Sequence, residues 1–149
     1  AFPNLTTVDL SGNYIKKIQN IHNTMYSRDL NLLENKIEKI ENSDHVICLI
    51  DLDLFSNNIA KVKNIEKLVN IHKINLCTNK INEMKIPDNG KYSSNLKSVD
   101  LSYNSITILK IIVQLKDCSE IKQACNQSIK IQNESQYLRI NKILKICPT

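Results

Sequence analysis

The chain has 149 residues, 42% of them hydrophobic, and its 20 basic and 15 acidic side chains leave a formal charge of +5. That is apolar material enough for one domain with a continuous core, and no run of 18 apolar residues or basic-then-apolar leader marks a membrane span or a signal peptide. Lysine supplies 18 of the basic residues, beside 20 Asn and 23 Ile, a bias expected of an AT-rich coding sequence, so net basicity alone does not assign a nucleic-acid or membrane partner.

Taken in chain order, the first predicted unit reads LTTVDLSGNYIKKI and contains Asn13. The same phrase returns as SRDLNLLENKIEKI with Asn35, LIDLDLFSNNIAKV with Asn57, IHKINLCTNKINEM with Asn79 and LKSVDLSYNSITIL with Asn104. The first four asparagines are 22 residues apart and the fifth follows after 25. A fixed repeat of this size describes a solenoid, in which each unit buries its apolar face against its neighbours.

Inside each unit, alternation such as Val8 and Leu10, or Leu52 and Leu54, predicts a short strand with one buried face. Apolar residues two and five positions after the asparagine, as in Ile15 and Ile18 or Ile81 and Met84, return the chain to the same core. Backbone amides and carbonyls face inward at that bend. A carboxamide offers two donors and an acceptor to meet them, so Asn13, Asn35, Asn57, Asn79 and Asn104 are predicted to be structural. The fourth unit carries an insertion, PDNGKYSS at 87–94, expected to form a protruding loop. Five repeats thus occupy 1–115. The remainder, 116–149, holds a degenerate sixth unit, with Asn126 on the period but Gln123 in a core strand position, and a tail whose Tyr137, Ile140 and Ile143 or Leu144 space as one face of an amphipathic helix.

The pattern LxxLxLxxNxIxxI is similar to that of the leucine-rich repeat family. Its 22-residue form resembles the subclass found in the nuclear regulatory subunit of protein phosphatase 1 and in the spliceosomal A-prime protein. The tail QYLRINKILKICP is similar to the segment that caps intracellular members. The resemblance implies an α/β solenoid: curved, with parallel strands on the concave face, irregular or 3-10 outer segments and a helical C-terminal cap. It also implies the work of a non-enzymatic scaffold that holds another macromolecule, with a phosphatase catalytic subunit or a small RNA-binding protein among the partners expected.

Strand alternation places a set of side chains on the concave surface. Asp9, Asp29, Asn31, Leu33, Asp51, Asp53, Phe55, Lys73, Asn75, Cys77, Asp100 and Tyr103 are the predicted partner-binding residues. With Glu34, six carboxylates there face one lysine, which calls for a protein partner with a basic surface. Leu33, Phe55, Cys77 and Tyr103 are read as an apolar stripe, with Phe55 and Tyr103 as anchors. Lys16, Lys17, Lys36, Lys39, Lys61, Lys63 and Lys80 follow the asparagines and form a ridge on one flank; a nucleic-acid track along it is the lesser expectation, because the ridge lacks aromatic platforms.

Nothing in the sequence assembles a catalytic or metal site. Asp51 and Asp53 lie two apart on one wet strand face, and His22, His45 and His72 are scattered. No catalytic residue, metal or cofactor is expected. Five cysteines without end clusters point to an intracellular protein of the cytoplasm or nucleus. The alternatives are a ribonucleoprotein-associated protein and a secreted or surface receptor, the latter suggested by N-x-S/T sites at Asn4, Asn126 and Asn133.

Overall fold

The computed structural model describes residues 6–19, 27–41, 48–63, 65, 68–85, 95–110, 118–126, 130–131 and 144–145. Seven short strands, β1 (Thr7–Asp9), β2 (Asp29–Asn31), β3 (Asp51–Asp53), β5 (Lys73–Asn75), β7 (Ser98–Asp100), β9 (Glu120–Lys122) and β11 (Leu144–Lys145), form one parallel sheet in that order. Four more, β4 (Lys61–Val62), β6 (Glu83–Lys85), β8 (Ile108–Lys110) and β10 (Lys130–Ile131), form a second parallel sheet.

Register is constant along the long sheet. Val8, Leu30, Leu52, Ile74, Val99 and Ile121 align on successive strands. These middle residues, together with Leu32, Leu54, Leu76 and Leu101 and the row Ile37, Ile59, Ile81 and Ile106, join one core cluster in which Leu30 through Ile121 are at most 4% exposed. Fully burying a side chain of this kind contributes about 1.5–3 kcal/mol. Val62 and Met84 enter the same core from the short sheet. In the first coil Val8, Leu10 and Ile15 are only partly buried.

An asparagine ladder joins the coils. Asn57 Oδ1 accepts the Ile37 N–H at 2.9 Å, and its Nδ2 donates to the Leu32, Leu54 and Phe55 carbonyls at 2.9, 3.2 and 3.2 Å. Asn35, Asn79 and Asn104 repeat this arrangement, accepting from Ile15, Ile59 and Ile81. Asn126 does the same, accepting the Ile106 N–H at 3.0 Å and donating to Leu101, Gln123 and Ala124 carbonyls. Asn13, in the exposed first coil, donates only to its own coil, at Leu10 and Ser11.

The bend that aims each asparagine inward uses a left-handed residue just before it: Gly12 at φ 63°, Glu34 and Ser56 at 53°, Thr78 at 57°, and Tyr103 and Cys125 at 54°. Only Gly12 adopts this without a Cβ penalty, which costs other residues roughly 1–2 kcal/mol each. The surroundings hold the strained positions in place. The Glu34, Ser56, Thr78 and Tyr103 N–H groups each bond the next coil, to the Phe55, Cys77, Ser102 and Ala124 carbonyls.

Three architectural expectations change. The outer segments expected to be irregular or 3-10 include the short parallel sheet, because alternation continues past the asparagine far enough for Val62 and Met84 to point inward beside outward-facing neighbours. No α-helix occurs among the described residues, so the α/β label gives way to a β-solenoid. The predicted cap helix lies mostly outside the described residues. Within it, Leu144–Lys145 is a strand paired in parallel with Ile121–Lys122, since the open edge of β9 takes up backbone hydrogen bonds that an isolated helical turn leaves unused. The 87–94 insertion also lies outside the described residues.

Candidate partner-binding face

Because each middle residue turns into the core, its two strand neighbours face outward, and constant register lines them up in two columns. The first runs Thr7, Asp29, Asp51, Lys73, Ser98 and Glu120; the second runs Asp9, Asn31, Asp53, Asn75, Asp100 and Lys122. The structure therefore brings eight of the predicted partner-binding residues onto one face: Asp9, Asp29, Asn31, Asp51, Asp53, Lys73, Asn75 and Asp100. Leu33 and Phe55 follow the second column, two residues after Asn31 and Asp53. Cys77 joins them beside Phe55. Tyr103 is offset.

The first column satisfies itself across strands. The Thr7 hydroxyl donates to Asp29 at 3.2 Å, Lys73 Nζ lies 3.4 Å from Asp51, and the Ser98 hydroxyl donates to Glu120 at 3.1 Å. The Lys73–Asp51 pair is largely exposed and contributes on the order of 0–1 kcal/mol.

The second column has a structural duty that the sequence pattern had not disclosed. Each Asp or Asn there accepts, through Oδ1, the backbone N–H two residues onward: Asp9 from Ser11, Asn31 from Leu33, Asp53 from Phe55, Asn75 from Cys77 and Asp100 from Ser102, at 2.9–3.1 Å. This is an Asx turn repeated in each of the first five coils. Either residue type can accept that bond, which accounts for the alternation of Asp and Asn down the column. The Ser11 hydroxyl and then the Ser11 N–H hold the Asp9 carboxyl below its ordinary value.

Charge is unevenly distributed along this face. Asp9, Asp29, Glu34 and Asp53, on the first three coils, have no cationic partner among the described residues. Farther along, Lys122 lies 3.9 Å from both Asp100 and Glu120. The expected ratio of six carboxylates to one lysine therefore changes once β9 is included, and the unneutralised acidity concentrates at one end.

The apolar stripe is also shorter than expected. Leu33, Phe55 and Cys77 occupy equivalent positions two residues before their ladder asparagines and are half-buried. The next coil puts buried Ser102 there, its hydroxyl accepting the Ala124 N–H at 3.2 Å. Tyr103 belongs instead to the left-handed column and is 58% exposed. Burial raises the Cys77 thiol pKa against a smaller lowering by the Thr78 hydroxyl; Asp100 and Asp53 add to the rise.

On the opposite flank Lys16, Lys17, Lys36, Lys39, Lys61, Lys63 and Lys80 are all exposed. Lys36 is not free, since its Nζ sits 4.7 Å over the Tyr14 ring. Among the described residues no cluster of His, Cys, Asp or Glu could hold a metal, and no helix is long and apolar enough to cross a membrane. The Asn126 carboxamide, read above as a glycan acceptor, directs its Nδ2 at three carbonyls of the solenoid.

No family model matches the sequence, and no curated relative matches it by sequence. Among solved structures the chain is similar to two internalins from Listeria monocytogenes str. 4b F2365. Internalin C2 shares 19% identity at a TM-score of 0.75 over 99% of this chain and 66% of that one. Internalin InlF shares 18% at 0.70, over 99% of this chain and 42% of that one. TLR13, solved in a complex with ssRNA13, shares 25% at 0.68, over 95% of this chain and 22% of that one. The chain thus spans less than two thirds of each. These neighbours are leucine-rich repeat proteins, and the stacked parallel strands and asparagine ladder described above give this chain the leucine-rich repeat solenoid fold.

Proposed function

We propose that the chain is a non-enzymatic scaffold that holds a partner protein against its seven-stranded face. The observation that carries this reading is the surplus of carboxylates at Asp9, Asp29, Glu34 and Asp53 beside the half-buried Leu33 and Phe55. Charge there steers association and selects a basic partner, while the apolar side chains supply anchoring area. Regulation of a phosphatase catalytic subunit is a narrower form of the same proposal, supported by the 22-residue repeat form. We propose a location inside the cell, in cytoplasm or nucleus, on the free thiols of Cys48, Cys77, Cys118 and Cys125.

The Asx turns dictate how to test it. Asp53→Lys would remove a turn acceptor as well as a charge, whereas Asp53→Asn keeps the acceptor, as Asn31 and Asn75 do in adjacent coils. A triple variant, Asp9→Asn/Asp53→Asn/Phe55→Ala, should keep its far-ultraviolet spectrum and lose the partners that the unaltered protein captures from lysate. Capture that survives these changes would refute this face as the binding surface.

A second reading, as an RNA-associated protein, is favoured by the exposed lysine flank and by the ssRNA complex of TLR13. Partners that disappear on nuclease treatment but withstand the triple variant would favour it over the first.

A further inference from the structure

The two sheets carry charges of opposite sign, and the signs change together along the solenoid. Four residues after each ladder asparagine stands the outward position of the second sheet. It is held by Lys17, Lys39, Lys61 and Glu83 on the first four coils, and register continues it to Ile108 and Lys130. Val62 and Met84, next to Lys61 and Glu83, turn into the core. Coil for coil, the first column of the seven-stranded face runs Thr7, Asp29, Asp51, Lys73, Ser98 and Glu120. Asp29 therefore has Lys39 at its back and Asp51 has Lys61. In the fourth coil both signs reverse, to Lys73 in front and Glu83 behind. They reverse again by the sixth, with Glu120 and Lys130, and the fifth is uncharged on both sides, with Ser98 and Ile108.

A lysine-rich composition accounts for a basic back but not for these reversals. Packed sheets lie about 10 Å apart, so front and back do not neutralise each other across the core of one copy. A copy displaced along the sheet normal, without rotation, lays its second sheet on the seven-stranded face of the next, coil against coil. Lys39 then meets Asp29, Lys61 meets Asp51 and Glu83 meets Lys73. In the adjoining columns Lys16 comes to Asp9, while Glu38 comes to Asn31 and meets no like charge head-on. Both surfaces repeat at the strand spacing of about 4.8 Å, which keeps the columns in step.

We infer that the chain stacks on itself front to back, the second sheet of one copy seated on the seven-stranded face of another. Self-stacking rests on the reading of that face as a docking surface, and it names a second copy as the basic partner. The contact is heterologous. Each added copy leaves one face and one back open, so growth by translation does not close. Ion pairs of this exposed kind are individually weak and screened by salt, so association is concentration-dependent and salt-sensitive.

Sedimentation velocity of the full chain at low ionic strength should show a mean mass that rises with concentration past two copies and falls toward one on added salt. Asp29→Asn/Asp51→Asn disables the front without touching the Asx acceptors, and Lys39→Gln/Lys61→Gln disables the back. Each variant alone should associate about tenfold more weakly or worse. Their equimolar mixture should regain association and stop at two copies, an outcome that requires both variants to be folded. Glu83→Gln separates registered stacking from a general attraction between an acidic face and a basic back. Loss of its contact with Lys73 should weaken association, whereas general attraction predicts strengthening. A monomer at every concentration, an unaltered protein that closes at two copies, a mixture that does not regain association, or strengthening by Glu83→Gln would overturn self-stacking. So would association abolished by nuclease, which would make nucleic acid the bridge. If the protein stays monomeric while Asp9→Asn/Asp53→Asn/Phe55→Ala still abolishes capture from lysate, the face remains a docking surface and only self-stacking falls.

Discussion

Replacing Asn57 by leucine, close in size but without polar atoms, tests whether the ladder holds the coils together. Asn57 is 7% exposed and makes four hydrogen bonds, which do not count equally. The Leu32 carbonyl keeps Asn35, the Leu54 carbonyl keeps Asn79, and the Phe55 carbonyl keeps the Glu34 N–H. The Ile37 N–H has Asn57 Oδ1 as its acceptor and is stranded. A buried unsatisfied donor costs about 1–3 kcal/mol, and thinning the bonding at three carbonyls brings the expected loss to about 2–4 kcal/mol. For a chain of this size that is a fall of roughly 4–16 °C in melting temperature. The comparison is Asn13→Leu, at the same coil position but in the exposed first coil, where only bonds within its own coil are lost; its melting temperature should shift by only a small part of that. Thermal unfolding of both variants by circular dichroism decides the matter. Equal shifts, or none at Asn57, would refute the account of the ladder as an inter-coil device.

Gln123 occupies the position of Leu32, Leu54 and Leu76 and is 7% exposed, with Oε1 unpartnered among the described residues. Gln123→Leu should therefore stabilise the fold by about 1–3 kcal/mol, and a lower melting temperature would show that the amide has a partner worth keeping. Cys77 should alkylate more slowly than the exposed Cys125 at neutral pH, because burial raises its pKa and so lowers its thiolate fraction. Its rate should climb as pH rises toward that raised value. Peptide mapping after timed iodoacetamide treatment measures both sites, and faster labelling of Cys77 would contradict its environment.

The repeat was legible because stacking needs the same side chain at the same place in every coil. Val8, Leu30, Leu52 and Ile74 could be aligned by eye, and the ladder asparagines by their spacing. Asn126 was legible in principle too, since it keeps the 22-residue interval from Asn104; the polar Gln123 obscured it. The Asx turns were harder to see. Asp and Asn at the second outward position look like exposed binding residues in a strand pattern, and their role appears only when Oδ1 is seen to meet the N–H two residues onward. Tyr103 was misplaced because it sits one residue past the end of alternation, where the chain turns left-handed and the period-two rule no longer applies.

By itself the sequence determined that the chain is a solenoid, where its coils divide, which side chains enter the core and which face outward from the strands. Those are local consequences of periodicity, and every coil repeats them. The tertiary structure decided what depends on neighbours: which carboxylates of the seven-stranded face are neutralised and where the second sheet begins. Such outcomes arise from pairs of residues 22 or more apart, such as Lys73 with Asp51 or Lys122 with Asp100. Their sign and spacing are fixed only when the coils are stacked in register.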